Sequence, residues 1–593
     1  MGAPLKTKTR AGISRDFVTR PTVKIDGIEV TQTIQNMAHD VPLIAKKSTV
    51  VRVYVTLKSA GGIPKFSQAK LSSEISVRRH STGSATKVVS FNALVGAQSG
   101  TLASRRKNLK LSLNFILPSV LRTAGRLYLE VSSLTLRIPG FPLPMVLPVP
   151  AHPVRQVKLL ESPPLRVRIF HVRYTTGTPA QSYEPTARDF QMIASWLRRA
   201  YPVPEVIVSQ ATIEATATWP FLCGDVNAQL TAIRGQDMAH GGDRRTHYFG
   251  AVADGAGFMR GCASGVPQSP DPSTVASGPV GSADWGWDTD GCYGDWYTGH
   301  ELGHTFGRKH PGFCGETTDD LAAYPFPNGQ LSASNDEFVG FDFGDAALGL
   351  PMSVMPGVDW HDVMTYCQRQ WLSSYTYMGI RNRLIAEENM GAVPQGATRK
   401  AGRRAPAAAA GLIQAVARVN TVTGQGKFVF VQPLALGAVL GPAARGAVLL
   451  RALDAGGKKL AEYRVAPKYD TCQEGGPGGN ATIDAIFPKP AGLAALELLV
   501  GGKLVDTFRP APATTRSLKA KASASPRSAP ELRYTVQTSV DEGKTWETQA
   551  VGLRTPKFIL SPENFGAAAV VKMRVIATNG FESTVLSTED VPL

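Results

Sequence analysis

The sequence lacks the features of a membrane protein and of a thiol-based redox enzyme. No uninterrupted apolar run approaches the roughly 20 residues of a membrane-spanning helix. None of the six cysteines forms a Cys-x-x-Cys pair, which argues against thiolate metal sites and thioredoxin-like chemistry. The sequence contains no internal repeat of fixed period and no RNA- or DNA-binding signature. We therefore expect a soluble protein with no membrane span and no specific nucleic-acid partner.

The cysteines that are present indicate an oxidising compartment. Five of the six fall between residues 223 and 367, and such clustering is typical of disulfides in secreted proteins. The first 20 residues contain no apolar segment of the kind found in signal peptides. We expect a secreted or extracellular protein, with the export route or the mature form left open.

The net charge of +17 is unevenly distributed along the chain. Residues 1–160 hold 24 basic and six acidic side chains, whereas residues 161–395 hold 15 basic and 26 acidic ones. Two interpretations of the basic region stay open. It is either a solubilising surface, or it attaches the protein to an anionic surface such as a polysaccharide.

The length and the residue patterns predict several domains, because 593 residues exceed what one hydrophobic core supports. Runs such as STVVRVYVTL predict strands, and from about residue 165 strands alternate with helical patterns. We expect a multidomain protein that combines an α/β domain with all-β domains. The predicted segments are a basic arm (1–21), a β-sandwich (22–160), the α/β domain (161–395), a linker (396–411), a second β-sandwich (412–512), a second linker (513–527) and a fibronectin type III-like domain (528–593).

One short stretch, WYTGHELGHTFGRKH, carries residues with metal chemistry. His300 and His304 are four residues apart, so on a helix both imidazoles lie on one face, one turn apart. Glu301 lies beside the first histidine, and a glycine follows where the helix would have to end. His310 completes the pattern H-E-x-x-H-x-x-G-x-x-H. Three neutral nitrogen ligands with one open position are the arrangement of a catalytic zinc site.

A second segment, HDVMTYCQRQW, contains Met364, which lies 54 residues after the third histidine, and Tyr366. With this second element the chain resembles the metzincin clan of zinc metallopeptidases, in which such a methionine packs beneath the metal. The stretches VPLIAKKSTVVRVYV and VMTYCQRQWLSSYTY are similar to those of a group of bacterial secreted multidomain metallopeptidases.

The resemblance implies a fold and a set of roles. The fold is a metzincin-like catalytic domain, a mixed twisted sheet with an active-site helix, flanked by β-sandwich domains. One catalytic Zn²⁺ is held by His300, His304 and His310, and Glu301 acts as general base on a zinc-activated water. The Tyr366 side chain either reaches the metal or the oxyanion, or only packs. The substrate is a protein or glycoprotein.

We therefore expect a zinc metalloendopeptidase that hydrolyses peptide bonds as a monomer. Two alternatives stay open: a zinc-dependent amidase or deacetylase acting on cell-wall or glycan material, and a surface-binding protein with an inactive peptidase domain. The stretch YFGAVADGAGFMRGCASG is a candidate for an edge strand that binds extended substrate through its backbone. Three further histidines are interpreted as structural: His171, His247 and His361.

The cysteine spacing predicts a disulfide that supports the site. Cys314 follows the third histidine by four residues, and Cys367 follows the methionine by three. A bond between them would clamp together the two segments that support the metal. One further bridge is expected among the remaining cysteines of this region, Cys223, Cys262 and Cys292, and Cys472 has no evident mate.

Overall fold

The structure is a computed structural model that describes residues 21–58, 66–98, 100–257, 260–282, 287–315, 323–390, 411–435, 447–471, 478–510 and 532–593. The predicted basic arm and both predicted linkers lie outside these ranges, except for residues 21 and 411. The described chain is mostly β, in several sheets, with α-helices among the strands, as the sequence predicts. Among the described residues no helix is both long and apolar enough to span a bilayer.

The secondary structure follows in chain order. The helices are α1 (Leu102–Arg106), α2 (Ala187–Ala200), α3 (Cys223–Ala239), α4 (Gly294–Thr305) and α5 (Ser374–Glu388). The strands are β1 (Thr22–Thr31), β2 (Ile34–Gln35), β3 (Leu43–Ile44), β4 (Val50–Lys58), β5 (Lys70–Arg78), β6 (Thr86–Val89), β7 (Leu94–Val95), β8 (Leu113–Ile116), β9 (Gly125–Arg137), β10 (Met145–Leu147), β11 (Arg155–Leu160), β12 (Leu165–Thr176), β13 (Gln181–Tyr183), β14 (Val206–Glu214), β15 (His247–Ala253), β16 (Cys262–Ala263), β17 (Ala276–Val280), β18 (Val339–Asp342), β19 (Ser353–Pro356), β20 (His361–Asp362), β21 (Gln370–Trp371), β22 (Leu412–Asn420), β23 (Gln425–Leu434), β24 (Val448–Leu453), β25 (Lys459–Val465), β26 (Lys468–Tyr469), β27 (Asn480–Pro488), β28 (Ala495–Val500), β29 (Lys503–Phe508), β30 (Arg533–Ser539), β31 (Glu547–Leu553), β32 (Val570–Thr578) and β33 (Ser583–Pro592).

The chain forms two compact units, of which the first comprises 1–162, 324–362 and 367–378. Its strands form a three-stranded sheet, β1-β4-β8, and a seven-stranded sheet built on β3-β11-β9-β5-β6. Inward-facing residues of both sheets share one hydrophobic core, which is the arrangement of a β-sandwich. In β9 the buried residues Leu127, Leu129 and Val131 alternate with more exposed ones, because successive side chains of a strand point to opposite faces.

The second unit comprises 163–323, 363–366 and 379–593. Its first sheet has the order β13-β12-β15-β17-β16, and β14 also pairs with β12. Strands β14, β12, β15 and β17 are parallel, whereas β16 runs antiparallel at the edge. Most of β12 is buried, as expected for a central parallel strand. Helix α2 begins with a capping box formed by Thr186 and Asp189, and it packs against α4.

Helix α3 is buried on nearly every side, because it packs against strands of the α/β sheet and also against β22, β23, β27 and β31 of the later sheets. Gln414 donates a hydrogen bond to the carbonyl oxygen of Thr231 at 3.2 Å. Gly235 faces the Gln414 side chain, which occupies the space that a Cβ would need. At the end of α3, the buried Asp237 forms an ion pair with Arg168 of β12. The later β-sheets of this unit therefore share packing with the α/β sheet through α3.

Candidate metal centre

The WYTGHELGHTFGRKH motif forms α4 and the turn that follows it. His300 and His304 lie one helical turn apart, and the helix ends at Thr305. Gly307 has φ +78°, a left-handed conformation that suits glycine at the end of a helix. The turn brings His310 back to the two helical histidines, so local geometry explains why the motif needs a glycine at this position.

The three histidine side chains meet at their Nε2 atoms. The Nε2 of His310 lies 3.2 Å from that of His300 and 3.0 Å from that of His304. Two nitrogens bound to one tetrahedral zinc ion at about 2.0–2.1 Å lie about 3.4 Å apart, so the spacing fits this ligand set. All three residues are buried, and no other described group of His, Cys, Asp and Glu has a comparable arrangement. The cluster could hold one metal ion.

Backbone carbonyl groups orient the two helical ligands. The Nδ1 of His300 lies 2.7 Å from the carbonyl oxygen of Val363, and the Nδ1 of His304 lies 2.8 Å from that of Arg308. Each Nδ1 carries the proton that it donates, so each Nε2 presents a lone pair towards the centre of the cluster. Hydrogen bonds of this kind are the usual support for a metal-binding imidazole.

Burial sets the charge of the cluster. It lowers the pKa of His300 to about 4, and burial together with the nearby His300 lowers the pKa of His310 to about 3. For His304, burial and the two neighbouring imidazoles lower the pKa well below its usual range. All three rings are therefore neutral near pH 7, which is the form that binds a metal.

Glu301 is completely buried at 0% exposure, and neither carboxylate oxygen has a hydrogen-bond partner among the described residues. Burial raises the pKa of Glu301 well above its usual range. Its Oε1 atom lies against Gly261, where a Cβ would approach it to 2.7 Å. Buried polar groups nearly always have a partner, so an unpaired carboxylate next to a histidine cluster indicates a place for a ligand.

Met364 packs against α4 and is 1% exposed. Its Sδ atom lies so close to the backbone of Gly303 that a Cβ at that position would overlap it. Another methionine of this region, Met355, belongs to β19. The structure thus brings the predicted turn methionine against the helix that carries the histidines.

Tyr366 is 36% exposed, and its ring lies beside two of the histidines. The ring centroids are 5.9 Å from His300 and 5.1 Å from His310. The guanidinium of Arg260 lies over the Tyr366 ring, 5.7 Å from its centroid, a cation–π contact that holds the ring in place. The ring therefore lies against the histidine cluster. A contact of its hydroxyl group with the metal or the oxyanion stays a prediction.

The stretch YFGAVADGAGFMRGCASG, which the sequence suggests for substrate binding, contains most of the interior strand β15 and the whole edge strand β16. A disulfide between Cys223 and Cys262 joins β16 to the first residue of α3. Asn227 donates a hydrogen bond to the carbonyl oxygen of Cys262 at 2.9 Å. These contacts fix the edge strand next to Gly261, the residue that makes room for the buried carboxylate.

The disulfide between Cys223 and Cys262 is the further bridge expected from the sequence, and it leaves Cys292 as a free, buried thiol. Cys314 and Cys367 are also disulfide-bonded, while their pairing with each other stays a prediction. Cys472 lies outside the described residues. Disulfides are compatible with the expected extracellular location.

The three histidines interpreted as structural, His171, His247 and His361, lie outside the candidate cluster. His247 is buried between Thr305 and Glu387, with each ring nitrogen 2.9 Å from a side-chain oxygen. The His361 Nδ1 atom lies 2.7 Å from the carbonyl oxygen of Gln368. Burial lowers the pKa of His171, so this ring is neutral as well.

Gly261 belongs to no motif, and the motif assigns no role to Tyr297, although both lie at the candidate site. The backbone N–H of Gly261 donates to the hydroxyl oxygen of Tyr297 at 3.1 Å. Tyr297 precedes Glu301 by four residues, so helical spacing indicates that they share a face. No local pattern distinguishes Gly261, because its role depends on a helix that lies about 40 residues further along the chain.

No protein-family model matches the chain, and no curated protein matches it significantly. The resemblance to metzincins therefore stays a prediction. The case for a function depends on the residues of the metal centre.

Proposed function

We propose that this protein is a zinc-dependent endopeptidase of the metzincin type. One observation carries the proposal: three neutral, buried histidine nitrogens converge beside a buried carboxylate without a hydrogen-bond partner. A site with three protein ligands and a neighbouring carboxylate is typical of catalytic zinc, whereas structural zinc is bound by four protein ligands. The extracellular location and the protein or glycoprotein substrate belong to the same proposal.

His300, His304 and His310 would hold the ion through Nε2. A zinc ion bound there supplies a Lewis acid for the scissile carbonyl and lowers the pKa of a neighbouring water. The carbonyl groups of Val363 and Arg308 keep two of the imidazoles in the required orientation.

Glu301 is the general base of the proposed reaction. Its raised pKa makes it a better proton acceptor than an exposed carboxylate. As the oxygen of water attacks the carbonyl carbon, the carboxylate takes a proton from that water. It then donates the proton to the amine nitrogen as the C–N bond breaks. Because no described side chain donates to the carboxylate, both oxygens are available to water.

Tyr366 is proposed to stabilise the negative charge that develops on the carbonyl oxygen. Its ring lies against two of the histidines, and its partial exposure leaves it in reach of substrate. A hydroxyl donor aimed at the oxyanion contributes only as charge develops, so its effect appears mainly in kcat.

The test is cleavage of a proteome-derived peptide library by the zinc-loaded protein, read by mass spectrometry. Glu301→Gln keeps the size of the side chain but removes the base, and the exposed Glu205→Gln is the matched control. We expect internal cuts from the parent and from the control, and a loss of about 10²–10⁴-fold for Glu301→Gln. Absence of cuts from a zinc-loaded parent would contradict the proposal and favour an amidase or a surface-binding protein.

A further inference from the structure

A loop of the later β-sheets pairs with the edge strand beside the metal centre. The backbone N–H of Ala263 donates to Thr471 Oγ1 at 2.9 Å, and the backbone N–H of Thr471 donates to the carbonyl oxygen of Ala263 at 3.0 Å. Both backbone groups of Ala263 are thus satisfied by one residue that lies 208 positions away in the sequence.

These bonds lie on the free side of β16. The neighbouring Ser264 donates its N–H to the carbonyl of Val275, towards β17, and alternate residues of a strand direct their backbone groups to opposite sides. The backbone N–H and C=O groups of Ala263 therefore point away from β17, towards the side of β16 where an added strand would pair. Thr471 takes the bonds that the backbone of an extended peptide would form there.

The residues that precede Thr471, at and just after β26, are held in place by their own contacts. Lys468 forms a hydrogen bond with Ser273 at 2.7 Å and an ion pair with Asp271 at 3.4 Å. The buried carboxylate of Asp470 accepts two hydrogen bonds from Arg418, at 2.9 and 2.6 Å. Residues 468–471 thus present Thr471 to β16 from a fixed position.

We infer that Thr471 limits how far an extended substrate pairs along the edge strand. Ala263 lies two residues beyond Gly261, which packs on Glu301, so the obstruction begins about 7 Å along the strand from the proposed catalytic base. A short peptide that stays on the Glu301 side of Ala263 avoids Thr471, whereas a longer one that continues past Ala263 must displace it. The inference rests on the proposed peptidase function and adds a length preference to it.

The test compares the binding of two peptides of different length to a protein that carries Glu301→Gln and therefore does not cleave them. The first peptide is a fluorescein-labelled decapeptide with the preferred cleavage sequence, and the second is the labelled tripeptide from its centre. Each is titrated with the Glu301→Gln variant and with the double variant Glu301→Gln/Thr471→Ala. Anisotropy gives the dissociation constants. Thr423→Ala, at an exposed threonine of the same sheet region, is the matched control.

We expect Thr471→Ala to bind the decapeptide about fivefold more tightly, since the peptide no longer competes with one hydrogen bond. Tripeptide binding stays unchanged, and so does decapeptide binding by the control. A loop with a structural role alone would weaken binding of both peptides when altered. Equal effects on the two peptides, or weaker decapeptide binding, overturn the inference. Absence of any cleavage by the zinc-loaded parent overturns the proposed function first, and this inference with it.

Discussion

The sulfur of Met364 occupies the space that a side chain at Gly303 would need. Gly303 lies between Glu301 and His304 on α4, so the contact supports the part of the helix that carries the candidate metal ligands. Met364 also follows Val363, whose carbonyl group orients His300. One short segment therefore packs against the helix and also orients His300 of the cluster.

Gly303→Ala is expected to lower the free energy of unfolding by about 1–2 kcal/mol. Overpacking a filled site costs about 1–3 kcal/mol, and the gain in helix propensity offsets part of it. Urea unfolding and zinc content are the measurements, with Gly411→Ala as control because a Cβ there meets only ordinary contacts. The double variant Gly303→Ala/Met364→Ala should show a favourable interaction energy. Strict additivity of the two single effects would contradict the packing relationship.

Tyr366→Phe is expected to lower kcat by about 10²-fold while KM and zinc content change little. The ring contacts with His300 and His310 do not need the hydroxyl group, so the site stays assembled. The oxyanion loses one donor, which typically costs about 10²–10³-fold in kcat. Steady-state kinetics and metal analysis of the same sample separate the two roles. An unchanged kcat would assign the tyrosine to packing alone.

Replacing Cys223 and Cys262 together by serine is expected to destabilise the protein by up to about 4 kcal/mol. The bond closes a loop with a sequence separation of 39 residues, which sets that chain-entropy value. The proposed peptidase activity should fall by more than the loss of folded protein explains, because β16 loses its covalent link to α3. Cys292→Ser is the control for the chemical change, since that thiol is free and buried. Full activity in the double variant would exclude a role for the bond in holding β16.

Zinc is expected to stay bound at pH 5 and to be lost only near pH 4 and below. Protons compete for an imidazole below its pKa, and burial lowers the pKa of His300 to about 4 and that of His310 to about 3. In the unfolded chain these rings titrate near pH 6.5, so acidification from about pH 6.5 to pH 4 also lowers the free energy of unfolding of the metal-free protein. Metal content after dialysis across this range is the measurement. Release between pH 7 and 6 would contradict the burial argument.

The histidine cluster could be predicted from the sequence because it is local. His300, His304 and the turn at Gly307 depend on helix geometry within a few residues, and the methionine segment has a recognisable pattern. The contact of Gly261 with Glu301 and the hydrogen bonds of Thr471 with Ala263 could not be predicted. These residues are distant in sequence and come together only when the sheets fold. The partner of the basic front region stays a prediction, since charge alone does not identify a ligand.

The burial of helix α3 also predicts how the protein responds to cleavage of its backbone. Its side chains are almost all buried, because the α/β sheet and strands β22, β23 and β31 cover it from different directions. A single break between α5 and β22 would leave two pieces that still need each other to enclose this helix. We therefore expect the second unit to survive a nick there as a non-covalent pair, and a shortened chain that ends after α5 to aggregate.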